Sequence, residues 1–257
     1  MKKKKHIFFI AILTNCLIVS LAIAQPTTEK GLNLPHFYSR YLHFGFSIGY
    51  NQTDFRIKTI ANSKLYHAIR DTIRYPNDTL NLKSISSKAD PGFNLGIVCD
   101  FKLHQYVRLR FLPGISFASR SLLYYFVGTN KWSGTPAFTA IRATQSAFIL
   151  LPLNVKLQSK RIRNFGVYVI GGACYSIDLA SGKKDKASSD VVRLKPNDFL
   201  YQGGGGVDFY FPYFKFSLEV KISQGLRNIL IQDGTEFTTP INALNTHTFL
   251  FSISFEG

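Results

Sequence analysis

The chain has little cysteine and little acid. It holds three cysteines, and Cys16 lies inside an N-terminal apolar run. Cys99 and Cys174 fall on stretches far apart in order, with side chains expected on opposite strand faces. No disulfide framework and no metal-ligand spacing follows from them. Asp and Glu number 15 against 31 Lys and Arg, a formal charge of +16. That balance implies polyanionic neighbours, either nucleic acid or a phosphate-rich membrane surface. His36, His43, His67, His104 and His247 form no HExxH or other ligand spacing. No metal and no other cofactor is expected. No Pro/Ser-rich linker interrupts residues 25–257, which favours one domain over two. After residue 24 no apolar run is long enough for a transmembrane helix. Entry into a membrane would therefore require a closed barrel.

What is present begins with an export signal. Lys2 to Lys5 form a positive segment, Ile7 to Leu21 an apolar run, and Ala22-Ile23-Ala24 a small-x-small cleavage site before Gln25. This reads as a secretory signal peptide over residues 1–24, cleaved near Ala24. Asn15 before Cys16 does not fit a lipoprotein signal. Cleavage removes four lysines and no acid, so the charge falls from +16 to +12. For an exported chain the polyanion is outer-membrane lipid and lipopolysaccharide rather than nucleic acid. Residues 25–41 read as a periplasmic N-terminal arm and residues 42–257 as one β domain.

The pattern of that domain is strict alternation. Phe214, Phe216, Leu218, Val220 and Ile222 interleave with Lys215, Ser217, Glu219, Lys221 and Ser223. Successive strand side chains point to opposite faces, so one face is apolar and the other charged. Similar strands are read over Leu42–Gln52, Gly92–Lys102, Tyr106–Arg120, Thr144–Gln158, Phe165–Leu179, Phe199–Phe211 and His247–Glu256. Pro113 and Pro152 suggest bulges. Leu122 to Phe126 extends the third strand, and residues 53–91 and 128–142 read as long connections, with some β character at Phe55 to Ile57. Connections then alternate between long and short. That describes an all-β, eight-stranded antiparallel transmembrane β-barrel with short periplasmic turns and long external loops. A barrel of this size is filled by side chains.

Candidate chemistry is sparse. Gly203 to Gly206 precede no helix and read as room inside a bent strand, not as a phosphate cradle. His43 and Ser47 share the lumen face, but nothing places an acid or oxyanion donor beside them, so no enzyme is expected. The lumen faces carry Arg108, Arg110, Lys156, Lys215 and Lys221 against Asp100, Asp178, Asp208 and Glu219. Buried charges must be paired, so these read as an ion-pair network. Lys160, Arg161 and Arg163 in a short periplasmic turn read as a solvated turn or as a contact for a partner or lipid headgroups. Asp71-Thr72-Ile73 and Asp78-Thr79-Leu80 match a short O-glycosylation pattern at a frequency chance explains.

Several stretches resemble the PorT (SprT) family, outer-membrane barrels associated with type IX secretion and gliding. They are Tyr41 to Gly49, Pro91 to Val98, Tyr168 to Ala180 and Lys195 to Ser223. The more specific parts are Tyr175-Ser-Ile-Asp-Leu-Ala180 and Tyr210-Phe-Pro-Tyr-Phe-Lys-Phe216. The resemblance implies a non-enzymatic outer-membrane component that helps export cargo and meets other secretion-machine proteins. It supplies no catalytic residues. The alternative is a generic small barrel with a structural or narrow-porin role. The expected location is the Gram-negative outer membrane. A folded barrel should run at different mobilities on a gel before and after boiling. Recovery of the protein wholly from the soluble periplasm would overturn the barrel reading.

Overall fold

The computed structural model describes residues 31–60, 80–128, 137–180, 192–234 and 237–257. Thr72 and Thr79 lie outside these, as does the leader. A short 3-10 turn, Phe37–Ser39, precedes nine strands: β1 Leu42–Thr59, β2 Leu80–Lys102, β3 Val107–Phe111, β4 Gly114–Gly128, β5 Ala137–Gln158, β6 Phe165–Asp178, β7 Asn197–Tyr210, β8 Lys215–Gly225 and β9 Ile241–Glu256. No helix among the described residues is long and apolar enough to cross a membrane.

The strands form an antiparallel ring. β1 pairs with β2 on one side and with β9 on the other, and β9 returns through β8, β7, β6 and β5. β3 and β4 together make one barrel strand between β2 and β5. Phe111 faces Cys99 and Leu153, and Gly114 faces Gly96 and Leu150. Neither partner gains or loses a residue across the gap, so the ring counts eight strands. Pro113 lacks an N–H and interrupts the ladder, but no bulge forms there. None forms at Pro152 either, where the register against β6 runs unbroken. The irregularities lie instead at Leu82/Ser84, Ala89/Phe93 and Lys58/Thr59.

Alternation changes sense along the long strands. In the lower part of β1, Phe44, Phe46, Ile48 and Tyr50 are exposed outside, while His43, Ser47 and Asn51 are buried inside. Above Thr53 the pattern inverts. Phe55 is buried within, and Arg56 and Lys58 face out. β4 inside passes from Ser116 and Arg120 to Leu122, Tyr124 and Phe126. β9 shows the same change between Ser252 and Leu244. A strand with lipid outside needs apolar residues there; one with water outside needs them inside. From Leu42 to Tyr50 the apolar row rises roughly 21 Å, at about 3.4 Å per residue and about 40° of tilt. That is close to the height of a bilayer's apolar band.

This inversion explains why the strands are longer than the alternation predicts. β1 runs on to Thr59, β2 starts at Leu80, β5 at Ala137 and β9 at Ile241. Parts of the segments expected to be loops are thus strand that projects beyond the apolar belt. The projecting part has its own core, where Phe55, Leu122, Tyr124, Phe126, Ile229 and Leu230 pack together.

Leu218 is the middle member of the outward row from Phe214 to Ile222, and Tyr213 sits in the turn below it. Leu218→Arg should destabilise the inserted barrel by about 2–4 kcal/mol, and Tyr213→Arg by about 0–1 kcal/mol. Urea unfolding in lipid vesicles measures both. Equal costs would mean that this row does not face lipid.

Candidate functional site

The interior divides into three levels. At the short-turn end, the inward positions of β2, β3, β5, β7, β8 and β9 carry charge, and the barrel brings these charges together. Asp100 forms ion pairs with Arg108, whose Nε is 3.1 Å away, and with Arg110, which donates to it at 3.0 Å. Arg110 also meets Glu256 at 2.7 Å and Glu219 at 3.4 Å. Lys215 pairs with Glu256 at 2.6 Å, Lys156 with Asp208 at 2.7 Å and Lys221 with Glu219 at 2.7 Å. The Tyr168 hydroxyl donates to Glu219 at 2.8 Å, and the Ser217 hydroxyl to Asp208 at 2.6 Å. Gly206 lies inside beside this group, and a Cβ there would collide with the Tyr168 phenol and the Leu218 carbonyl. Glycine makes room for the ring, as the strand reading of Gly203 to Gly206 requires.

The N-terminal arm closes this end. Phe37 is buried, stacked on the His43 ring at 3.7 Å between centroids, with the Lys215 ammonium 4.8 Å from its own. His43 Nε2 lies 2.7 Å from the Phe37 carbonyl. Arg161 clamps the arm from the β5–β6 turn. Its guanidinium donates to the carbonyls of Asn33 and Leu34 and to Asn164 Oδ1, and covers the Tyr210 ring at 3.9 Å. Asn33 in turn donates its backbone N–H to Asn164 Oδ1 and its amide to the Tyr210 carbonyl. So Arg161 is engaged within the chain, whereas Lys160 and Arg163 are exposed.

Above the charges lies a chamber of about 90 Å³, with Ser47, Ser116, Ser176, Gln202, Ser223 and Thr246 in its wall. At about 10–15 Å³ of accessible volume per water, several waters fit. Arg120 and Asp178 pair at this level, 3.6 Å apart, with Arg120 sandwiched between the Phe55 and Phe148 rings. Asp178 is therefore bonded apart from the lower network. The apolar core of the projecting strands closes the chamber from above, and the Tyr124 hydroxyl donates to the Phe237 carbonyl across it.

His43 and Ser47 are four residues apart on one strand, roughly 13 Å at about 3.3 Å per residue. They cannot share a hydrogen bond. No group of three metal-ligating side chains exists among the described residues. Two network members were not singled out from the sequence. Glu256 ends the last strand, where parity with Ser252 and Ser254 marks its inward face. Tyr168 reads as an ordinary strand aromatic, and only the facing glycines hint at its inward turn.

Removing one partner of a buried pair leaves a bare charge and costs about 3–5 kcal/mol. Lys156→Met should destabilise by about that much, and Lys156→Met with Asp208→Leu should recover part of it. A double-mutant cycle of urea unfolding in vesicles measures the coupling. An absence of coupling would show that the pair is not buried together.

No curated protein matches the chain. Three of the solved structures to which the chain is similar are outer-membrane proteins. The outer membrane protein OprG from Pseudomonas aeruginosa matches at 11% identity over 84% of this chain and 94% of that one, with a TM-score of 0.38. The attachment invasion locus protein Ail of Yersinia pestis, in complex with the heparin analogue sucrose octasulfate, matches at 11% over 85% and 100%, with 0.31. The outer membrane protease OmpT from Escherichia coli matches at 9% over 84% and 95%, with 0.35. Such low scores carry nothing about what this chain does. The sequence profile of the outer membrane protein beta-barrel domain, by contrast, matches residues 23–230. The chain belongs to that family and is an outer-membrane β-barrel protein.

Proposed function

We propose that this barrel is a non-enzymatic accessory of a protein-secretion machinery, of the type IX, gliding-associated kind that the PorT resemblance implies. The resemblance at Tyr175 to Ala180 and Tyr210 to Phe216 supports the choice of machinery. The observation that carries the accessory role is the filled interior. Cargo has no route past the Asp100–Arg110–Glu256 network, the seated arm and the apolar core above. Such a protein acts through what projects from it: the strands and loops outside, the turn at Lys160 and Arg163, and the arm. Its partners in this reading are other secretion-machine proteins, with outer-membrane lipid and lipopolysaccharide around the belt. The separation of His43 from Ser47 supports a non-enzymatic role. The same filled interior weighs against a narrow porin.

Deleting the gene should abolish release of cargo bearing C-terminal sorting domains, and the wild-type gene should restore it. Ser47→Ala, which alters only the chamber wall, should restore it equally. Normal cargo release from the deletion strain would overturn the secretion role. Failure of a folded, inserted Ser47→Ala protein would show that the lumen takes part. The purified barrel in planar bilayers should give no porin-like conductance steps.

A further inference from the structure

The ring of strands is complete within the apolar belt but not above it. The β5–β6 ladder ends at Phe148 and Asp178. One more bond follows, from the Leu179 N–H to the Ala147 carbonyl. The β4–β5 ladder continues from there to Val127 and Ala137. The upper half of β5 is thus paired on one side only. Leu112 N–H bonds to the Pro152 carbonyl, so even-numbered residues of β5 direct their main-chain groups to the β4 side. Odd-numbered ones point the other way. Thr139, Ile141, Ala143 and Gln145 therefore turn four N–H and four C=O groups toward an edge on which no described residue bonds to them.

This edge has none of the usual defences. Natural edges are blunted by proline, lysine or a bulge. From Thr139 to Gln145 there is no proline or lysine, and the register against β4 is unbroken. Arg142 is inward of the row, over the Phe237 ring at 4.5 Å. The outward row is exposed and uncharged, and Ile141 is 58% exposed. The other open seam, between upper β1 and β2, differs in being bridged by the Phe55 N–H on Ser87 Oγ.

We propose that the upper edge of β5 is a strand-addition site for an extended, proline-free polypeptide segment outside the cell. The edge from Thr139 to Gln145 spans roughly 20 Å at about 3.4 Å per residue, the length of an ordinary strand. Main-chain bonds supply the affinity in this mode, and alternate side chains the selectivity. Ile141 offers the apolar cross-strand contact, which fits a valine or threonine opposite it. The formal charge of +12 that remains after cleavage favours acidic flanks on the segment. A second copy does not fit. Antiparallel pairing of two identical edges needs a two-fold axis normal to the sheet, which would turn the copy upside down in the membrane. The site goes beyond the secretion reading and requires only that this half of β5 lie outside.

Amide exchange on the full-length protein in nanodiscs tests it. In the free protein the amides of Thr139, Ile141, Ala143 and Gln145 should exchange at least about tenfold faster than those of Ala140, Arg142 and Thr144. A peptide alternating valine and threonine with aspartate at each end, at about 1 mM, should slow the first set by about tenfold. The same peptide N-methylated along its pairing edge should not. Ile141→Pro and Ala143→Pro each remove an edge N–H that β4 does not use. They should abolish peptide protection while leaving heat-modifiable mobility intact. Slow exchange in the free protein would mean that the chain covers its own edge, and would overturn the proposal. So would fast exchange that the peptide leaves unchanged, or equal protection by the N-methylated peptide.

Discussion

Inside a bilayer no water can satisfy a main-chain N–H or C=O, so each must bond within the protein. The rest of this structure follows from that demand. It forces β1 to meet β9, and it fixes the register in which the faces alternate. A closed ring with lipid outside must put its polar residues inside, and in eight strands side chains fill most of that interior, leaving room for only a few waters in the chamber. The charges then have to find each other. The Asp100, Arg110, Glu219 and Glu256 cluster is a consequence of closure at this diameter. Closure is needed only as far as the lipid extends. Above it, β5 and β6 part company and the ring gives way to strands held by a water-excluding core.

Much of the ring was legible in the sequence because lipid imposes a simple rule on it. The row from Phe214 to Ile222 would suit a soluble sandwich as well, and it is the alternation of long connections with tight turns, as at Leu103 and Phe211, that points to a barrel. Legibility stopped where the rule changed sign. At Thr53 the apolar residues cross from the outer face to the inner, and a reading that follows one sense of alternation sees the strand end. Leu122 to Phe126 was visible because three large apolar residues share one face without interruption. The proline positions misled for a related reason. A missing N–H weakens a ladder, but the neighbours of Pro113 and Pro152 keep their register, so no bulge is needed.

The site was legible in composition and not in connectivity. Inward parity identified most of the buried charges, yet it could not say which acid each base meets. Asp178 shares the inward face with Asp208, but it ends β6 at the far end of the ladder from Gly166, which pairs with Asp208, and so lies at the level of Arg120. Arg161 was the hardest to assign. Its partners are carbonyl oxygens of Asn33 and Leu34, and a carbonyl carries no mark in the sequence.

The seat of the arm has a bearing on the order in which the molecule is made. Phe37 rests on His43 of the first strand, Tyr210 of the seventh and Lys215 of the eighth. His43 also lies 3.4 Å from the carbonyl of Gly257, just beyond the last strand. His43 and Gly257 are 214 residues apart along the chain, and they adjoin only after the final strand has zipped onto the first. The arm, synthesised before every strand, can therefore dock only last. Its occupancy of the mouth at the short-turn end records that the cylinder is finished. A barrel stalled with an open seam would leave the same segment trailing, visible to whatever in the periplasm clears unfinished chains.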